Sequence, residues 1–242
     1  MELGISGRRA AVAAASSGLG LGSALALARE GVHVAICGRD EAKLDAAADQ
    51  IGHDCIPIVV DVGDAAGATA FVDAAREALG GIDILVPNGG GPPPGNFEST
   101  PTDAYPQALD LNLLSIVAMC KAAVPAMQAQ GWGRVVAITS LSVRQPMPEL
   151  ILSNTARAGV TAFLKTLALE VAEEGVTVNT VQPGMHRTPR LTSLYSAADL
   201  DSMRLGDADD FGAHVAFLCS EAAKFTNGVQ LHIDGGAYTA LL

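Results

Sequence analysis

Aromatic and charged residues are scarce in this chain of 242 residues: 4% are aromatic and 17% are charged, whereas 49% are hydrophobic. So high an apolar share excludes intrinsic disorder. Long unbroken apolar runs are also missing. The stretch 111–129 is interrupted by Asn112, Lys121 and Pro125, and a membrane-spanning helix needs about 20 nearly unbroken apolar residues. No apolar run precedes the first arginines, so we expect neither a secretory signal nor a membrane segment.

Basic residues are outnumbered, because 15 Lys and Arg against 26 Asp and Glu give a formal net charge of −11. Nucleic-acid binding needs clustered positive charge, so we exclude nucleic acid as a partner. The five histidines lack zinc-ligand spacing, and we expect no metal site. The cysteines form no C-x-x-C pair and lie among apolar neighbours, which predicts reduced core thiols and a cytoplasmic location. They are Cys37, Cys55, Cys120 and Cys219.

The most informative stretch is 8–31, which predicts a strand, a glycine turn and a helix in succession. Residues 10–15 form an apolar run of strand length, and residues 21–30 carry apolar side chains at helical spacing. Gly18 and Gly20 in the turn would let the backbone approach a pyrophosphate at the helix N-terminus. A glycine pair alone also fits an ordinary strand–helix connection.

Strands and helices alternate further along the chain. We expect strands at 32–37, 56–60 and 82–86, and helices at 41–51 and 66–79. This alternation predicts an α/β fold: a Rossmann-like, doubly wound parallel sheet with helices on both faces, forming a single domain over 1–242. Ligands of such sheets bind at the carboxyl ends of the strands.

Arg39, at the end of the second strand, bears on the choice of cofactor. An acidic side chain there would bind the adenosine ribose of NAD, whereas an arginine pairs with the 2′-phosphate of NADP. Arg39 therefore favours NADP(H), and NAD(H) remains possible. The alternative is that Arg39 is a solvated residue at the strand end.

The order of motifs along nearly the whole chain resembles the short-chain dehydrogenase/reductase (SDR) family. The family's T-G-x-x-x-G-x-G turn corresponds to 13–20, with Ala13 and Ala14 in place of the threonine and first glycine. Its remaining marks correspond to Asp61-Val62, Asn88 to Gly91, Asn112, Ser140, Val178 to Gly184 with Thr188, and Ile233 to Gly236. The resemblance implies a nicotinamide cofactor bound by Ser16, Ser17, Gly18, Leu19, Gly20, Arg39, Asp61, Val62, Asn88, Gly89, Arg157, Pro183, Gly184 and Thr188.

The chain departs from the family at the active site. The family's tyrosine and lysine positions hold Ser153 and Arg157, which lie four residues apart on one face of the helix expected at 150–172. The serine hydroxyl is less acidic than a phenol and reaches about 4 Å less far, so a water anchored by Ser153 would have to carry the proton. Arg157 stays cationic and is a poor proton relay. The expected catalytic residues are Asn112, Ser140, Ser153 and Arg157.

Three arginines suggest an anionic substrate. Arg144 follows the serine strand, and Arg187 and Arg190 flank Thr188 in the segment of about 186–208 that covers substrate in relatives. The alternative is that these arginines pair with local acids. Tyr195, in the same segment, is a second candidate proton source.

These features predict an NADP(H)-dependent oxidoreductase acting on a carbonyl or alcohol. A catalytically weak or inactive NADP(H)-binding protein, acting as a sensor or assembly partner, is the alternative, and a lyase or dehalogenase is ranked third. The resemblance also implies a homo-oligomer, a tetramer or dimer, that pairs the helices around 103–128 and 150–172. Apolar residues that would suit this pairing are Leu109, Leu113, Ile116, Phe163 and Leu167.

Overall fold

The computed structural model describes residues 2–241, apart from the side chain of Leu194; residues 1 and 242 of the predicted domain lie outside it. The strands are β1 (Arg9–Val12), β2 (His33–Gly38), β3 (Ile56–Val59), β4 (Ile84–Val86), β5 (Gly133–Ile138), β6 (Val176–Pro183) and β7 (Gln230–Ile233). The helices are α1 (Gly18–Arg29), α2 (Glu41–Ile51), α3 (Ala65–Leu79), α4 (Ala104–Leu109), α5 (Ser115–Ala129), α6 (Ile151–Glu170), α7 (Pro189–Leu194), α8 (Ala197–Ser202) and α9 (Ala208–Leu218).

The seven strands form one parallel sheet in the order β3-β2-β1-β4-β5-β6-β7. The strand order reverses between β1 and β4, where doubly wound sheets bind their ligands. One buried cluster packs α1, α2 and α9 on one face, and a second packs α3, α5 and α6 on the other. The predicted Rossmann-like fold class is confirmed.

The helices on the first face approach each other closely where α1 crosses α9. A Cβ on Gly22 would lie 2.2 Å from the Ala208 carbonyl oxygen, and one on Gly212 would lie 2.1 Å from the Gly22 carbonyl oxygen. Only glycine fits at either position. This contact fixes α1, and with it the turn that begins the candidate site.

The predicted boundaries differ from the structure mainly around the first turn. Strand β1 ends at Val12 rather than at residue 15, and α1 begins at Gly18 rather than at residue 21. The expected helix at 150–172 is α6, one to two residues shorter at each end. The helix around 103–128 contains a π-helical turn, Asp110–Leu114, between α4 and α5.

The helical run Ala104–Ala129 is long and apolar enough to cross a membrane by length and composition alone. Its buried residues, among them Met119, Cys120 and Met127, pack into the second core cluster. Core helices of this kind meet the same criterion, so the run does not indicate a membrane protein.

The four cysteines are free thiols, as expected. Cys37, Cys120 and Cys219 are buried, and burial raises the pKa of each to about 12. Cys55 is half-buried, and burial raises its pKa to about 11. Across residues 2–241, no group of three or more His, Cys, Asp or Glu side chains is arranged to hold a metal ion.

Candidate active site

A cleft of about 930 Å³ runs along the carboxyl ends of the strands. Its volume lies at the upper end of the range that small-molecule sites have. One end is formed by residues that follow β2 and β3, and the other by α6 and the segment 186–208. Most of the expected cofactor and catalytic residues therefore line one cleft, whereas Gly20 and Asn112 do not line it.

The N-terminus of α1 forms the middle of this cleft. Ser17 stands at the N-cap in an extended conformation without a side-chain hydrogen bond to the helix, whereas α2 and α3 are each capped by an aspartate. The first N–H groups of α1 have no such cap, and the first turn contains no acidic residue. A Cβ on Gly20 would lie 2.6 Å from the Ala14 carbonyl oxygen, so glycine is required. This turn fits the pyrophosphate of a dinucleotide.

Ala14, where the family has glycine, adopts a left-handed conformation with φ of +48°. Its N–H donates to the Cys37 Sγ over 3.3 Å, and its carbonyl accepts from the Asn88 Nδ2 over 3.2 Å. These bonds join the turn to β2 and to the loop after β4. The glycine-like turn is thus kept without the glycine.

At the adenosine end of the cleft, Arg39 lines the wall together with Asp61 and Val62. The Arg39 Nη1 lies 3.8 Å from the Asp61 Oδ2, and both side chains are mostly exposed. Asp40, the acidic residue after β2, accepts a hydrogen bond from the Lys43 N–H over 3.1 Å and caps α2. The Asp40 carboxylate is therefore occupied as a helix cap, and Arg39, weakly paired with Asp61, is the cation at this strand end.

Ser140 and Ser153 both line the catalytic end of the cleft. The Ser140 Oγ accepts from the Ser142 N–H over 3.1 Å and lies 2.9 Å from the Ser142 Oγ, to which its hydroxyl donates. Ser153 lies on α6 and is buried. The two hydroxyls come from separate elements, β5's end and α6, and converge on one space.

Arg157 also lines the cleft from α6 and is buried. Its Nη1 donates to the carbonyl oxygens of Ile138 and Thr139 over 3.1 and 3.2 Å. Burial, and to a smaller extent the charge of Arg190, lowers its pKa to about 10. The guanidinium is still charged at neutral pH, directly behind Ser140.

Asn112 lies behind the wall of the cleft. It is fully buried in the π-helical turn, and its Nδ2 donates to the Gly90 carbonyl oxygen over 2.7 Å. Its Oδ1 is buried without a hydrogen-bond partner among the described residues. π-Helical turns occur frequently at functional sites. Here the turn couples the helix to the loop after β4, where Asn88, Gly89, Gly90 and Gly91 line the cleft.

The segment 186–208 forms a cover built from α7 and α8. Thr188 caps α7 by accepting from the Leu191 N–H over 3.4 Å, and it lines the cleft with Pro183 and Gly184. Arg190 reaches across to the carbonyl oxygens of Gly91 and Pro92, at 3.2 and 3.1 Å. The cover is thereby tied to the loop after β4.

His186, at the base of the cover, was not singled out from the sequence. It is buried, its ring packs edge-on against Phe211 at 5.3 Å, and burial lowers its pKa. Its Nδ1 lies 3.2 Å from the Gly184 carbonyl oxygen. The imidazole thus packs between Phe211 and the Gly184 carbonyl at the base of the cover.

Two of the three predicted substrate arginines lie away from the cleft. Arg144 lies 5.5 Å from the ring centroid of Tyr238, and Arg187 is exposed; neither is part of the wall that the described residues form. Arg190 lines the cleft, as does the half-buried Tyr195. Sequence reasoning missed several apolar residues of the wall, which belong to no motif: Met147, Leu150 and Leu191.

Comparisons with known proteins agree with this geometry. Residues 13–238 match the family model described as enoyl-(acyl carrier protein) reductase. The chain is 30% identical to dehydrogenase/reductase SDR family member 4 of Bos taurus, over 96% of this chain and 88% of the relative. It is 31% identical to the 3-oxoacyl-[acyl-carrier-protein] reductase FabG of Vibrio cholerae, over 98% and 99%.

Solved structures are similar over the same length. L-Sorbose reductase from Gluconobacter frateurii, complexed with NADPH and L-sorbose, superposes with a TM-score of 0.91 at 29% identity and covers 100% of both chains. A 7α-hydroxysteroid dehydrogenase complexed with NADH and 7-oxo glycochenodeoxycholic acid gives 0.91 at 26% identity, over 100% of this chain and 98% of that one.

Fold, cleft and comparisons define a nicotinamide-dinucleotide oxidoreductase. The chain belongs to the short-chain dehydrogenase/reductase family and acts on carbonyl or alcohol substrates.

Proposed function

We propose that this enzyme is an NADP(H)-dependent carbonyl reductase or alcohol dehydrogenase. The observation that carries the cofactor preference is Arg39 at the adenosine end, with Asp40 occupied as a helix cap. An arginine binds a 2′-phosphate through charge-assisted hydrogen bonds, and the paired Asp61 can release it because both side chains are exposed. The L-sorbose reductase was solved with NADPH, although the 7α-hydroxysteroid dehydrogenase was solved with NADH.

Each residue of the cleft has a role in the proposed reaction. The cofactor supplies a hydride when bound at the turn of Ser16 to Gly20, with Pro183, Gly184 and Thr188 covering it. Ser140 turns its hydroxyl from Ser142 to the substrate's carbonyl oxygen. Arg157 stabilises negative charge on that oxygen, and Ser153 anchors the water that delivers the proton. Asn112 holds the loop after β4 in place.

We also propose that the substrate is anionic. The enzyme is further proposed to be a homo-oligomer, a dimer or tetramer, and to lie in the cytoplasm. Arg190, on the cleft wall, supports the anionic substrate; Arg144 and Arg187 would act only if the cover or the C-terminal segment moved. Of the apolar residues expected at a subunit contact, Ile116 is buried in the core, while Leu113, Phe163 and Leu167 are partly buried against it.

Calorimetric titration with NADPH and NADH tests the cofactor preference. We expect NADPH to bind more tightly, and Arg39→Ala to weaken NADPH about ten- to hundredfold while leaving NADH unchanged, because a charge-assisted contact is lost. Lys43→Ala is the matched control, since Lys43 is an exposed cation in the first turn of α2 that pairs with Asp40. Binding of neither dinucleotide refutes the proposal, and equal effects of both variants refute the role of Arg39.

The second candidate is an NADP(H)-binding protein with little or no catalysis, and the replacement of the family's tyrosine and lysine by Ser153 and Arg157 favours it. A screen of ketones with NADPH separates the two. Consumption of NADPH that Ser140→Ala abolishes supports the enzyme. Full NADPH binding without turnover of any ketone, unchanged by Ser153→Tyr, supports the second candidate.

A further inference from the structure

Two arginines line the cleft from different elements, the buried Arg157 from α6 and the exposed Arg190 from α7. Each donates to two backbone carbonyl oxygens: Arg157 to those of Ile138 and Thr139, and Arg190 to those of Gly91 and Pro92. Neither guanidinium lies within 4.0 Å of a carboxylate in residues 2–241. Carbonyl dipoles satisfy hydrogen bonds but do not neutralise a charge.

The two guanidinium groups line the same cleft. Burial is the main cause that lowers the pKa of Arg157, and the charge of Arg190 contributes in the same direction, as repulsion between two cations does. Of the two acids on the cleft wall, Asp61 pairs with Arg39, and Glu149 forms no ion pair with Arg157 or Arg190. A protein of net charge −11 thus keeps two positive charges on the cleft wall without a carboxylate partner, the buried Arg157 and the exposed Arg190. The cost of an unpaired charge falls on the buried Arg157, unless a ligand compensates it.

We propose that Arg157 and Arg190 together bind the carboxylate of a short keto acid or hydroxy acid whose reacting carbon lies next to Ser140. Each guanidinium has N–H groups beyond those already bonded to backbone, and two such groups from different elements match the two oxygens of a carboxylate. Arg157 contacts the carbonyl of Thr139, the residue before Ser140, so the carboxylate and the reacting carbonyl belong to one small molecule. This inference rests on the proposed function, because it specifies the substrate of the same cleft.

The binding test uses amide analogues that cannot be reduced. Oxamate and malonamate mimic 2-keto and 3-keto acids, and oxamide and malonamide are their neutral counterparts of similar size. Calorimetry measures the binding of each to the NADPH-loaded protein and to the cofactor-free protein. We expect one of the two carboxylates to bind at least about tenfold more tightly than its neutral counterpart, because charged hydrogen bonds are lost in the latter.

Substitutions in the cover test whether Arg190 binds the carboxylate or only affects folding. Arg190→Gln is expected to weaken the carboxylate at least about tenfold. Arg187→Gln is the matched control, since it removes the same charge from the same segment but from outside the cleft wall. NADPH affinity should be unchanged in Arg187→Gln, and in Arg190→Gln it should fall less than carboxylate affinity, because Arg190 also ties the cover to the loop after β4. For the buried Arg157, Arg157→Lys keeps a charge and Arg157→Gln removes it, so we expect the lysine variant to bind the carboxylate more tightly.

The outcomes distinguish the inference from the proposed function. Protein that binds NADPH but neither carboxylate, or that binds acid and neutral analogues equally, overturns the inference alone. Equal losses for Arg187→Gln and Arg190→Gln also overturn it, as does tighter binding of inorganic phosphate than of either carboxylate. Protein that binds no dinucleotide refutes the proposed function, whereas carboxylate binding by that protein would still support the two-arginine site.

Discussion

Ala14 adopts a conformation that alanine normally avoids. Its φ of +48° is left-handed, and an L-residue with a Cβ pays about 1–2 kcal/mol there. Ala14→Gly removes that cost but adds freedom to the unfolded chain, so we expect a net stabilisation of about 0.5–1 kcal/mol. This corresponds to a rise in Tm of about 1–4 °C for a chain of this size.

The control for this prediction is Ala15→Gly, at a buried neighbour without a positive φ. It is expected to lower the Tm, because glycine at this position raises the entropy of the unfolded chain and removes a buried methyl group, and no backbone strain is relieved. A drop in Tm for Ala14→Gly as large as that for Ala15→Gly would show that the turn is not strained. Differential scanning calorimetry measures both.

The residues at 153 and 157 change the balance of the site from proton transfer to charge binding. Ser153 is less acidic than a phenol, and Arg157 keeps its proton at neutral pH even with a pKa lowered to about 10. The pair therefore favours binding and stabilising an anion over donating a proton. This shift makes Arg190 significant, since it adds a second charge to the same cleft.

At the scale of elements, the sequence predicts periodic segments well and the turns between them less well. Helix α2 and its Asp40 cap follow from apolar spacing and an N-cap residue, so the predicted bounds 41–51 agree with the structure. The start of α1 at Gly18 depends on a left-handed alanine, which propensity argues against. The positions of Arg144 and Arg187 depend on packing between distant segments, against Tyr238 and across the cover. No local pattern encodes such contacts.

The π-helical turn at Asn112 is expected to control the loop after β4. Asn112→Asp replaces the Nδ2 donor with an oxygen that faces the Gly90 carbonyl oxygen, so a buried acceptor loses its partner. We expect a loss of stability of at least about 2 kcal/mol, and weaker NADPH binding because Asn88 and Gly89 of that loop line the cleft. Thermal unfolding and calorimetric titration measure the two effects.

Asn154 gives a matched control for that substitution. Its Nδ2 likewise donates to one backbone carbonyl oxygen, that of Met147, at 2.8 Å, and its Oδ1 is likewise buried without a partner in residues 2–241. Asn154→Asp is therefore expected to cost stability with little effect on NADPH. If both variants weaken NADPH equally, the effect comes from general loosening rather than from the loop after β4.

Across the whole molecule, the two ends of the sheet have different roles. The carboxyl ends carry Arg157 and Arg190 without acid partners, whereas the amino ends carry ion pairs with short distances. There the Asp83 carboxylate accepts from the Arg9 N–H, Nε and Nη2 at 2.9, 2.8 and 2.9 Å. The Asp83 charge at the amino ends is thus compensated by Arg9. At the carboxyl ends, Arg157 and Arg190 have no carboxylate partner among the described residues, although Arg39 there pairs with Asp61. The sheet order and this polarity follow from the family's motifs, but the arginine pair does not, because Arg190 comes from a cover that follows no motif.

The pair between Asp83 and Arg9, at the amino ends of the strands, should make stability depend on pH. Burial alone would raise the pKa of Asp83, but hydrogen bonds and the charge of Arg9 outweigh it, so the pKa stays below its usual value. Because the folded pKa is the lower one, the stabilisation is present above about pH 4 and is lost as pH falls through the folded pKa. Asp83→Asn should therefore lower the free energy of unfolding by about 2 kcal/mol at pH 7. This gap in stability between the original protein and the variant should narrow below about pH 4, and NADPH affinity should be unchanged. Urea unfolding followed by circular dichroism measures the gap, and a gap that stays constant or widens in acid would show that Asp83 is not held charged by Arg9.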